Sequence, residues 1–83
     1  MAYKPAFSDA MQEELTYRKK KDRATYEQAM KKIAQVLENP KIGKPMHAPL
    51  TGIRRFHVGH LVITYRINDA EHEVIFTSFE HHE

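Results

Sequence analysis

The chain of 83 residues has no cysteine. That excludes disulfides and thiolate metal sites and suits a reducing compartment. No stretch approaches the ~18 consecutive apolar residues of a membrane-spanning helix. The opening MAYKPAFSDAM lacks the apolar core of a secretory signal, so a soluble, cytoplasmic protein without membrane contact is expected. There is no internal repeat and no low-complexity linker. Acidic residues are absent from Pro40 to Asn68, a span holding Lys41, Lys44, Arg54, Arg55 and Arg66 together with His47, His57 and His60. Lysine and arginine are absent from Asp69 to Glu83, where Asp69, Glu71, Glu73, Glu80 and Glu83 lie. A basic block free of acids points to an anionic partner, phosphates being the commonest kind. The competing reading is a solvated loop and strand that balance the acids of the strand after them.

What is present reads as one globular domain over residues 1–83, with 41% hydrophobic and 29% charged residues and a core near the small end of what folds alone. Tyr3–Phe7 is a short strand that Pro5 confines to a sheet edge. Ser8 can cap a helix beginning near Asp9, and Asp22, at the end of RKKKDR (residues 18–23), can cap a second. Tyr26, Met30, Ile33 and Leu37 recur at helical spacing, and Asn39-Pro40 stops the run. Residues 40–52, PKIGKPMHAPLTG, form a long loop. Strands over Ile53–Val58 and Leu61–Ile67 flank Gly59-His60, a two-residue turn with glycine where the type II′ geometry wants it. A turn over Asn68–His72 leads to a last strand, Glu73–Phe79. The expected fold is α+β: an N-terminal strand, a two-helix hairpin, then a three-stranded antiparallel meander (β-α-α-β-β-β), with the helices on one face of the sheet.

Strand alternation gives RRFHVGHLVITYRI (residues 54–67) two faces. Val58 pairs with Leu61 and Phe56 with Ile63 toward the helices. Arg55 and His57 then stand on the uncovered face beside Val62 and Thr64. An arginine and a histidine on an open sheet face suit phosphate chemistry, since histidine exchanges protons near neutral pH. The bland alternative is a solvated strand. His60 lies in the turn and His72 in a surface turn, while His47 sits in the proline-rich loop and is a weaker candidate base. His81 and His82 are neighbours that alternation would separate, so joint metal chelation is not expected. Alternation along the last strand favours His81 for the open face.

The order of elements, the connection ENPKIGKP (residues 38–45), Leu50, Gly52, Arg54, Arg55, Val58, Gly59, Tyr65, Arg66 and Ile67, and the ending FEHHE (residues 79–83) resemble the RelE/ParE toxin superfamily, and within it an archaeal-type RelE-like branch. The resemblance implies the toxin of a type II toxin–antitoxin pair. RelE-like members are ribosome-dependent endoribonucleases that cut mRNA by attack of the 2′-hydroxyl on the adjacent phosphate, without metal or cofactor; ParE-like members poison DNA gyrase. A catalytically weak, antitoxin-binding relative is the third option. Carried onto this sequence, Arg55 would stabilise phosphate charge, and His57 stands where another arginine or lysine is frequent. His81 or His82 falls where the family has a C-terminal arginine or histidine. Lys19, Lys20, Lys21, Lys41, Lys44 and Arg54 would contact RNA. Val62 departs from an arginine usual in that hairpin, and the aromatic residue found beyond the C-terminal histidine has no counterpart up to Glu83. The implied partners are an antitoxin with an acidic and apolar segment, mRNA and the ribosome, with a heterotetramer possible once the antitoxin binds.

Overall fold

Two capping side chains set the helical hairpin. In the computed structural model, which describes residues 2–81, Ser8 Oγ accepts the Met11 N–H at 3.1 Å and starts α1 (Asp9–Lys21). The last turn of α1 carries Arg18, Lys19, Lys20 and Lys21, which complement the negative end of the helix. The Asp22 carboxylate then accepts the Thr25 N–H and starts α2 (Arg23–Glu38). That hydrogen bond, with help from nearby Arg18, holds the Asp22 carboxyl below its ordinary value. On α2 the fully buried positions are Ala29, Ile33 and Val36, flanked by the partly buried Met30 and Leu37. The sequence period locates the helix, but its contact stripe is centred on the small Ala29.

The sheet has five strands in the order β1-β5-β4-β3-β2. Strand β1 (Lys4–Phe7) lies on one edge, as Pro5 requires, and runs parallel to β5 (Glu73–His81). Strands β3 (Ile53–Val58), β4 (Leu61–Asn68) and β5 form the antiparallel meander. Val58 pairs with Leu61 and Phe56 with Ile63, and all four are buried in one core with Met11, Ile33, Val36 and Tyr65. Gly59 takes φ +60° in the turn, while His60 stays out of the left-handed region, the φ signs of a II′ turn.

The proline-rich stretch is more ordered than a loop. It holds a 3-10 turn (Pro40–Ile42) and a two-residue strand, β2 (Lys44–Pro45), paired antiparallel with β3. Its anchor is Tyr65, whose side chain is fully buried. The Tyr65 hydroxyl donates to the Pro40 carbonyl at 2.6 Å and accepts the Gly43 N–H at 2.9 Å. Burial pushes that hydroxyl's pKa up. A side chain at Gly43 would collide with the Tyr65 hydroxyl and ring, so glycine stands there for space and not for its φ of −71°. Tyr65→Phe strands two buried backbone groups and is expected to cost about 1–3 kcal/mol. A thermal or denaturant melt with unchanged stability would show that the strap holds without the hydroxyl.

One register shift matters for everything on the other face. Ile63 pairs with Phe79 and Thr64 with Ser78, but Tyr65 pairs with Phe76. Thr77 is the extra residue of a β-bulge. Ser8 fixes it: the Ser8 hydroxyl donates to the Thr77 carbonyl at 2.8 Å. The bulge lets Val74, Phe76 and Phe79 all reach the core, and it reverses the alternation of every residue after it.

Candidate active site on the uncovered sheet face

Both helices cover one side of the sheet, and the register defines what stands on the other. Lys44 of β2 lies opposite Arg55 of β3, Arg55 opposite Thr64 of β4, and Thr64 opposite Ser78 of β5. The next row is His57, Val62 and Glu80. A cavity of about 180 Å³ opens here, lined by Met46, Arg55, Val62, Thr64, Ser78, Glu80 and His81. A second hollow of about 150 Å³ adjoins it through Met46 and Arg55 and adds Lys44, Pro45 and His47.

Arg55 is the centre of this surface. Its Nε is buried without a hydrogen-bond partner among the described residues. A guanidinium partly stripped of water attracts an anion more strongly than a solvated one, and an unpaired buried donor costs about 1–3 kcal/mol. Beside it, Thr64 Oγ1 is within 2.8 Å of Thr77 Oγ1 and 2.6 Å of Ser78 Oγ. The face therefore combines fixed positive charge, orientable hydroxyls, an imidazole and a carboxylate, which together can bind a phosphodiester and move protons around it.

The expected residues fall into three groups. Arg55, His57 and Lys44 share the open face, and His47 reaches its margin. His57, which is exposed, also borders a groove of about 210 Å³ against Gln28, Lys31, Lys32 and Gln35 of α2. Arg54 points the other way, since it pairs with Tyr65. Its Nη1 donates to the carbonyls of Gly43 at 2.7 Å and Lys41 at 3.1 Å, so it braces the strap. Lys41 is exposed on the 3-10 turn. Lys19, Lys20 and Lys21 are exposed in the helix layer, with Lys19 Nζ 6.0 Å from the Tyr26 ring centroid.

The expected side for His81 is corrected. The bulge puts His81 opposite Leu61, on the helix side, where it borders a hollow with Glu14, Arg18, Leu61, Phe79 and Glu80. His81 also lines the open-face cavity, but in the register of the open face Glu80 takes the place opposite Val62. His82 lies outside the described residues. The residues that sequence reasoning missed are Thr77, Ser78 and Glu80. A signal was available: apolar residues at 74, 76 and 79 cannot share a face without an inserted residue. Among the described residues, no group of three or more histidine and carboxylate side chains is arranged to hold a metal ion, and no helix is long and apolar enough to cross a membrane.

Comparison with known proteins agrees with this architecture. A protein of Methanocaldococcus jannaschii that carries the toxin name RelE4 is 28% identical over 65 residues, covering 77% of this chain and 69% of that one. Among solved structures, a YoeB/ParE toxin from Agrobacterium tumefaciens superposes with a TM-score of 0.87 at 13% identity, covering 96% and 99% of the two chains. The intact Escherichia coli RelBE toxin–antitoxin complex gives 0.82 at 23% identity over 99% of each chain. A heterotetrameric YoeB–YefM complex from Staphylococcus aureus gives 0.80 at 16% identity over the whole of both chains. At these identities the structural likeness concerns the fold. Residues 5–83 match the family described as the ParE toxin of the type II toxin–antitoxin system parDE. This chain, with its helical pair on one face of a five-stranded sheet and Lys44 and Arg55 on the other, belongs to the RelE/ParE superfamily of type II toxin–antitoxin toxins.

Proposed function

We propose that the chain is a RelE-like endoribonuclease that cleaves mRNA on the ribosome by attack of the 2′-hydroxyl on the adjacent phosphate. The observation that carries this reading is the half-buried Arg55, whose Nε has no hydrogen-bond partner among the described residues, on an uncovered sheet face, with Lys44 in its own row and His57 in the next. Arg55 and Lys44 offset the charge of the phosphorane. His57, as imidazolium, supplies a proton to the departing O5′. Such an arrangement needs no metal, because fixed cations and proton transfer do the work of a Lewis acid. The partner in this reading is an antitoxin whose acidic and apolar segment covers the open face and the groove beside α2, in a heterotetramer like that of the YoeB–YefM complex. A toxin and antitoxin that elute separately at low salt would refute that coverage.

The test is to map mRNA ends on programmed ribosomes. Cleavage products are expected to carry 2′,3′-cyclic phosphate ends. The rate is expected to be unchanged when the toxin alone is treated with EDTA and then added to ribosomes kept assembled with magnesium. Loss of activity in the treated toxin, or 3′-hydroxyl ends, would refute the mechanism. A second reading is favoured by the family match itself, which names ParE: a gyrase poison acting by binding alone. Such a toxin would leave mRNA intact and inhibit supercoiling.

A further inference from the structure

The bulge at Thr77 leaves a carboxylate where the alternation of β5 promises a histidine. Glu80 stands on the open face in one row with Val62 and His57. We propose that Glu80 is the general base of the cleavage, the group that takes the proton of the attacking 2′-hydroxyl. The assignment rests on the ribonuclease reading above and adds to it a proton acceptor that the register places on the open face.

Three observations support it. First, spacing: strands lie ~4.8 Å apart, so His57 and Glu80, separated by β4 alone, are about 10 Å apart at the backbone. A phosphodiester lying over the short Val62 would be flanked by these two positions, with Arg55, Thr64, Ser78 and Glu80 lining the cavity beside it and His57 also bordering the α2 groove. Second, availability: among the described residues no cation forms an ion pair with Glu80, the ion pairs being Arg18–Glu14, Arg18–Asp22 and Arg23–Glu27. Val62 contributes to this. An arginine at that position would face Glu80 directly across the strands and neutralise it, whereas valine leaves the carboxylate able to accept a proton. Third, charge balance: a carboxylate beside a phosphate is repelled by it, and Lys44 and Arg55 on the same face offset that repulsion.

The step is complete in its atoms. As the O2′–P bond forms, the 2′-hydroxyl proton passes to Glu80. As the P–O5′ bond breaks, O5′ takes a proton from the His57 imidazolium. The products are a 2′,3′-cyclic phosphate and a 5′-hydroxyl, with Glu80 protonated and His57 neutral.

Single-turnover cleavage of mRNA on programmed ribosomes tests the assignment. Glu80→Gln is expected to slow cleavage by about 10²–10⁴-fold, with melting temperature unchanged because Glu80 is exposed and ribosome affinity not weakened. Glu80→Asp is expected to recover part of the rate. An mRNA with sulfur replacing the bridging O5′ has a leaving group that needs no proton. It is expected to restore cleavage by His57→Ala and to leave Glu80→Gln slow. Wild-type rates in Glu80→Gln, or rescue of Glu80→Gln by the sulfur substrate, would overturn the base assignment while the ribonuclease reading stands. Absence of cleavage by the wild-type chain would overturn both.

Discussion

Replacing Arg55 by alanine is expected to lower mRNA cleavage by about 10²–10⁴-fold, the range for loss of a preorganised charge that faces the transition state. The side chain lines the open-face cavity with its Nε already desolvated. The charge that attracts the phosphate in the ground state attracts the more highly charged phosphorane more strongly. Arg55 is outside the hydrophobic core cluster, so the variant is expected to melt close to the wild type. His57→Ala is expected to lose a comparable factor through proton transfer. His60→Ala, one turn residue away and exposed, is expected to change little and serves as the control. The measurement is single-turnover cleavage on programmed ribosomes, with circular dichroism on each variant. Full cleavage by the His57→Ala, His81→Ala double variant would eliminate histidine from the chemistry and leave catalysis to charge and to Glu80.

Ribosome association is the second large expected effect. Each lysine or arginine that neutralises a phosphate releases a counterion, so affinity falls as salt rises. The exposed Lys19, Lys20, Lys21, Lys41 and Lys44, with Arg55, offer enough cations for a contact of several phosphates. At roughly six to ten phosphates the affinity is expected to drop by about 10³–10⁵-fold between ~50 and ~200 mM salt. Alanine at Lys44 should reduce the slope of log affinity against log salt by about one. Arg54 is expected to contribute less than its charge implies, because one of its nitrogens is held by the Gly43 and Lys41 carbonyls. Binding that ignores salt over this range would rule out an interface dominated by phosphates.

Much of the fold was legible because local signals agreed with one another. Ser8, Asp22 and the Asn39-Pro40 stop each mark a helix end by chemistry confined to a few residues. The pairing of Val58 with Leu61 follows from turn length alone, and it fixed the faces of Phe56, Arg55 and His57 correctly. What local signals did not reveal depended on distant partners. Strand β2 is two residues long and exists because Tyr65 and Arg54, remote in sequence, bind the backbone around Gly43. The parallel pairing of β1 with β5 joins residues far apart in the chain. The bulge was half visible in the spacing of Val74, Phe76 and Phe79, and reading past it exchanged the faces of Glu80 and His81. In the candidate site, the cations were found from composition and alternation. Thr64 was placed on the open face by the same alternation, but the hydroxyls of Thr77 and Ser78 were missed because threonine and serine in a strand are too common to stand out in a sequence.

The parallel edge also orders events in time. Strand β1 pairs residue by residue with the first half of β5, and the Tyr3 hydroxyl donates to Asp69 beyond it. About 65 residues of synthesis separate the end of β1 from the start of β5, which at ~5–20 residues per second takes several seconds. Through that interval the sheet lacks the strand that joins β1 to β4, and Ser78 and Glu80 have not been made. A nascent chain of this build cannot hold its open-face cavity in place.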